Sequence, residues 1–114
     1  MQKVPSESHE QRILKAWMQA ALPPFSWTAT ANGFLRTKAQ RQAAQQQGVL
    51  FGVPDILVFV QPPCWIELKK KVDAVTQANQ TVIHTRFAKL GYEGIVAAGA
   101  EEAIAWLKVR YDIK

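Results

Sequence analysis

The stretch GVPDILVFVQPPCWIELK, residues 52–69, decides how the chain folds. PDILVFV and CWIELK are short, apolar and rich in β-branched and aromatic residues, with the turn signal Gln61-Pro62-Pro63 between them. The two runs therefore read as strands of a hairpin. With that hairpin centred on Pro62-Pro63, partners carry numbers that sum to roughly 125, which sets Asp55 within a residue or two of Lys69. Side chains two apart on a strand share a face. Trp65, Glu67 and Lys69 look one way, and Ile66 and Leu68 the other. Two carboxylates and one ammonium thus converge at one end of an otherwise apolar hairpin, where buried charges need partners or a metal.

Upstream, SESHEQRILKAWMQAAL (6–22) reads as a helix. Ser8 with Gln11 three residues later fits a capping box, and Pro23-Pro24 ends the run. Its apolar stripe is Ile13, Leu14, Trp17, Met18 and Ala21. Glu10 falls on the face of Leu14, Trp17 and Ala21, which carries its carboxylate towards the sheet; the competing reading is that it complements its own helix dipole. Phe25 to Thr30 alternates like a strand ended by Asn32-Gly33. LRTKAQRQAAQQQG (35–48) is a polar helix with a thin apolar face, stopped at Gly48. It is either simply solvated or a carrier of Arg36, Lys38 and Arg41 towards phosphates.

Downstream, DAVTQANQTVIHTRFAKLG (73–91) is a long helix with the apolar stripe Val75, Val82, Ile83, Phe87 and Leu90. Gln77, Gln80 and His84 fall on its polar side, and His84 reads as a surface histidine. Glu93 to Ala98 is a further strand and AEEAIAWLKVRY (100–111) the last helix. The expected order is α-β-α-β-β-α-β-α, an α/β fold whose small mixed β-sheet is flanked by helices, with the helix after the third strand as a crossover.

At 114 residues the chain is sized for one domain, and its 48% apolar and 20% charged residues set it apart from a disordered chain. Fourteen Lys and Arg against nine Asp and Glu leave a net charge of +5, which suits an anionic partner such as nucleic acid. The lone Cys64 excludes an intrachain disulfide and a cysteine-based zinc cage, and no apolar run approaches the ~20 residues that span a bilayer. With no apolar region near the start, a cytoplasmic location is expected.

The charged grouping has a chemistry. Carboxylate oxygens of Asp55 and Glu67 suit hard Mg²⁺ or Mn²⁺, which polarises a phosphate and lowers the pKa of bound water. A lysine such as Lys69 beside such an ion can orient or help deprotonate the nucleophile, or offset charge developing at phosphorus. Three acidic side chains, Glu10, Asp55 and Glu67, are expected to meet with Lys69 at one pocket able to seat the ion.

GVPDILVF, then WIELK, then a helix carrying Gln80, then LGYEGIVAAGAEEAIAWL, resembles the VRR-NUC family, a branch of the PD-(D/E)XK nuclease superfamily. HEQ at the start of the first helix and TANGFLR before the polar helix extend the likeness to about residues 8–108. The resemblance implies a restriction-endonuclease-like core and catalytic roles for Glu10, Asp55, Glu67, Lys69 and Gln80, with Gln77 as the competing glutamine. Asp55 and Glu67 would bind metal together with the backbone carbonyl of Leu68, and Glu10 directly or through water. It also implies a homodimer that cuts branched DNA such as four-way junctions or flaps, with Arg36, Lys38, Arg41, Lys70 and Lys71 as candidate DNA contacts. No membrane and no small-molecule cofactor are expected. Two rivals stand beside it: a module that binds branched DNA without cutting, and a general or restriction-type nuclease on the same fold.

Overall fold

The computed structural model describes residues 6–30, 37–69 and 78–114. Its elements run α1 (Glu7–Ala21), β1 (Trp27–Ala29), α2 (Lys38–Gln46), β2 (Ile56–Val58), β3 (Cys64–Lys69), α3 (Ala78–Lys89), β4 (Glu93–Ala98) and α4 (Ala100–Arg110). The strands form one sheet in chain order, β1-β2-β3-β4; the first two pairings are antiparallel and β3–β4 is parallel. The parallel pair requires a crossover, which α3 supplies. None of the described helices is long and apolar enough to cross a membrane. Asn32-Gly33, Val75, and the part of the long helix expected before residue 78 lie outside the described residues.

Alternation along β3 sorts the molecule into layers. Ile56, Val58, Cys64, Ile66 and Leu68 face a buried core completed by Leu14, Met18 and Leu22 of the α1 side and Ala103 and Leu107 of α4. Trp65 lies on the opposite face, where its ring stacks on His84 of α3, centroids 4.2 Å apart and 19° from parallel. Gly94, the register partner of Trp65 on β4, makes this possible: a Cβ there would clash with the indole ring. The indole N–H donates to the Tyr92 carbonyl at 3.3 Å. The sheet is thus covered by α1 and α4 on one side and by α3 on the other.

Three local expectations are corrected. The cap of α1 is Ser6, whose hydroxyl accepts the His9 amide at 3.1 Å, rather than Ser8. The inward face of α1 is Glu10, Leu14 and Met18, while Ile13 is exposed. On α3, Val82 and Leu90 are exposed and Ile83, His84 and Phe87 are half-buried, so His84 is no surface residue. At the far end of the hairpin, the Arg110 guanidinium donates to the Pro62 and Pro63 carbonyls and pairs with Glu93 at 2.9 Å. The Tyr111 hydroxyl donates to the Pro62 carbonyl at 2.7 Å. The end of α4 therefore clamps the turn and holds both strands of the hairpin in register.

Candidate active site

The hairpin pairs Ile56 with Ile66, Leu57 with Trp65 and Val58 with Cys64. Partner numbers sum to 122, so the centre is Gln61 rather than Pro62-Pro63, and one further step sets Asp55 across from Glu67. Two hydrogen bonds lock this arrangement. The Leu68 amide donates to Asp55 Oδ2 at 2.8 Å, and the Asp55 amide donates to Glu67 Oε1 at 3.2 Å. Lys69 Nζ lies 3.3 Å from Glu67 Oε2. Glu67 and Lys69 are both buried, an expensive position for charges unless they are paired.

Burial pushes the Asp55 carboxyl above its ordinary value, the Leu68 amide pulls it back, the negative charge of Glu7 raises it further, and Lys69 lowers it. Glu7, in the first turn of α1, was not singled out from the sequence; its charge is felt at Asp55 although it lies 48 positions away in sequence. The only signal was a second acidic residue one helical turn before Glu10's end of the stripe.

Glu10 is 3% exposed and accepts the Ala100 amide at 3.3 Å. The cap position of α4 is Gly99, with φ 101° and no side chain to offer, so a carboxylate from α1 serves the helix start in its place. Glu102 reaches back to the Ala98 amide at 3.2 Å. Ala98 is the register partner of Lys69, so Glu10 stands at the same end of the sheet as the Asp55–Glu67 pair. It does not assemble with them into a ligand group: among the described residues no three His, Cys, Asp or Glu side chains are grouped to hold a metal ion.

His84 is the residue that sequence reasoning placed least well. Its Nε2 is buried without a hydrogen-bond partner, and burial lowers its pKa, with the nearby Lys69 ammonium adding to the effect. An apolar groove of about 380 Å³ lies farther along the hairpin, lined by Leu57, Phe59, Trp65, Phe87 and Tyr92 among others. Its lining holds no carboxylate, whereas Asp55, Glu67 and Lys69 stand together at the other end of the hairpin.

Lys38 and Arg41 are exposed on α2, and the Arg41 guanidinium lies 5.1 Å over the Phe51 ring. Gln80 falls within α3, with its side chain outside the described residues; Arg36, Lys70, Lys71 and Gln77 lie outside them altogether. The carboxylates of Asp55, just before β2, and of Glu67 on β3 lie across the hairpin beside Lys69, and carboxylate oxygens suit a hard divalent cation. Mg²⁺ commonly takes only one or two protein carboxylates and fills its shell with water and phosphate.

A solved structure named "VRR_NUC domain protein" shares this fold with a TM-score of 0.78. At 19% sequence identity, the match covers 98% of this chain and 93% of that one. No protein-family model matches the chain, and no curated protein matches it in sequence. The chain is a small mixed α/β domain with the fold of a VRR-NUC domain.

Proposed function

We propose that this protein is a Mg²⁺- or Mn²⁺-dependent endonuclease that hydrolyses phosphodiester bonds in branched DNA such as four-way junctions or flaps. One observation carries the reading: Asp55 and Glu67 meet across the hairpin, with Lys69 in an ion pair at the same strand end. The fold shared with a VRR-NUC domain supports it.

Asp55, Glu67 and the Leu68 carbonyl would hold the ion, with Glu10 acting through water from the α4 side. The bound ion supplies Lewis-acid polarisation of the phosphate and a more acidic water. The chain's own part is positional. The Leu68 and Asp55 amides fix both carboxylates before substrate arrives, so little reorganisation is needed at the reaction. The Lys69 ammonium, held by Glu67, orients the attacking water or offsets charge at phosphorus. Gln80, or Gln77 in its place, would hold the water or the phosphate.

Backbone contacts from Arg36, Lys38, Arg41, Lys70 and Lys71 would select by shape, since phosphates carry no direct sequence information. A four-way junction needs two symmetric cuts, which a two-fold homodimer supplies. The test is a cleavage panel of linear duplex, single strand, flap and four-way junction with Mg²⁺, Mn²⁺ or EDTA. Preferential cutting of branched substrates with metal is expected; equal cutting of plain duplex makes it a general nuclease, and intact DNA under every condition makes it a binding module.

A further inference from the structure

Among the described residues, α2 packs against no other helix or strand. Every residue of it is exposed except the half-buried Ala44. Local contacts hold it: a reciprocal capping box between Thr37 and Gln40, the Val49 amide on the Ala44 carbonyl at 2.9 Å, and Arg41 over Phe51. A helix this short is marginal in water by itself, and the thin apolar face of α2 consists of alanines alone. Its outer face carries Lys38, Arg41, Gln42 and Gln45, spaced three and four apart.

Charge says what fits that face. From Gln11 to Pro54 there is no Asp or Glu, while Arg12, Lys15, Arg36, Lys38 and Arg41 all lie there. These five account for the whole net charge of +5, because the remaining Lys and Arg are equal in number to the Asp and Glu. Segment 47–54 alone separates α2 from Asp55, so eight residues tether the helix to the end of the sheet where Asp55 and Glu67 meet.

We propose that α2 is an arm that lies along the phosphate backbone of duplex DNA next to the cleavage point, gripping the duplex independently of the metal centre. The proposal rests on the nuclease reading for where the arm acts. Lys38 and Arg41 neutralise phosphates, and the glutamines supply neutral donors to phosphate or sugar oxygens. Arg41 keeps its guanidinium edge for a phosphate while its face rests on Phe51.

The test measures binding of a fluorescent duplex by the full chain carrying Asp55→Asn, in EDTA, across a salt series. Adding Lys38→Gln and Arg41→Gln is expected to weaken binding about tenfold or more and to flatten the log–log salt slope by roughly 2, with the melting temperature unchanged. Gln42→Glu with Gln45→Glu should weaken binding likewise, whereas Lys108→Gln with Lys114→Gln should stay within about twofold. Unchanged affinity and slope in both α2 variants overturn the proposal. So does a loss of affinity matched by dissociation of a dimer in sedimentation, which would seat α2 on a second copy. Cleavage by the wild-type chain with Mn²⁺ is scored separately. A chain that binds through α2 but never cuts defeats the nuclease reading alone, and one that cuts with α2 variants binding normally defeats the arm alone.

Discussion

The backbone amide of Asp55 donates to the carboxylate of Glu67 across the hairpin at 3.2 Å. Each acidic residue thus helps fix the other's strand, and the Leu68 amide returns a bond to Asp55. Both carboxylates accept from backbone amides of the hairpin, and Lys69 is the cation paired with Glu67.

Replacing Asp55 with Asn tests its proposed catalytic role separately from its effect on stability. Burial raises the Asp55 pKa above 3.8, so the folded state binds a proton that the unfolded state releases, and stability falls as pH rises through the folded pKa. Asp55→Asn should melt at or above the wild-type temperature at pH 7, with the gap closing below pH 3.8. Its cleavage rate should drop about 10²-fold or more, since metal binding contributes several kcal/mol to the transition state. Melting curves and cleavage rates on the same preparation check both halves.

Glu10 holds the start of α4. Glu10→Ala leaves the buried Ala100 amide without its acceptor and should cost about 1–3 kcal/mol in urea unfolding. Glu10→Gln keeps an acceptor oxygen and should lose less. Equal stability of wild type and Glu10→Ala would show that the cap contributes nothing.

His84 should make the fold sensitive to mild acid. Burial and Lys69 lower its pKa below 6.5, so as pH falls the unfolded chain takes up the proton first and stability is lost. His84→Phe retains the stack on Trp65, removes the unpartnered Nε2 and should narrow the difference in melting temperature between pH 7.5 and pH 5. An unchanged pH profile would contradict this account of His84.

Gly94 is required by the Trp65 ring. Gly94→Ala should destabilise by roughly 1–3 kcal/mol or more, as overpacking of a dense layer does. Combining it with Trp65→Leu should recover part of that loss, which equilibrium unfolding of the single and double variants measures.

Strand composition and period made the hairpin legible, including which side chains of CWIELK share a face. Its register was legible only to within a few residues, enough to set Asp55 near Glu67 and Lys69 but not to fix the centre at Gln61, because the turn sets it and is held by Arg110 and Tyr111 at the other end of the chain. Glu10 could be read as inward-facing from its spacing. Its partner could not, because the Ala100 amide is 90 residues away in sequence. His84 was misplaced because Val82 and Leu90 suggested a stripe, whereas the packed side of α3 is chosen by Trp65. That α2 packs against no other described helix or strand is a property of the assembled fold that its polar sequence only suggested.

The most direct measurement is cleavage of a four-way junction by the wild-type and Glu67→Gln proteins, each with Mn²⁺ and with EDTA. The account predicts cutting by the wild type with Mn²⁺ alone, and none by a Glu67→Gln protein that melts like a folded chain. Full activity of Glu67→Gln, or wild-type cutting that persists in EDTA, would contradict it.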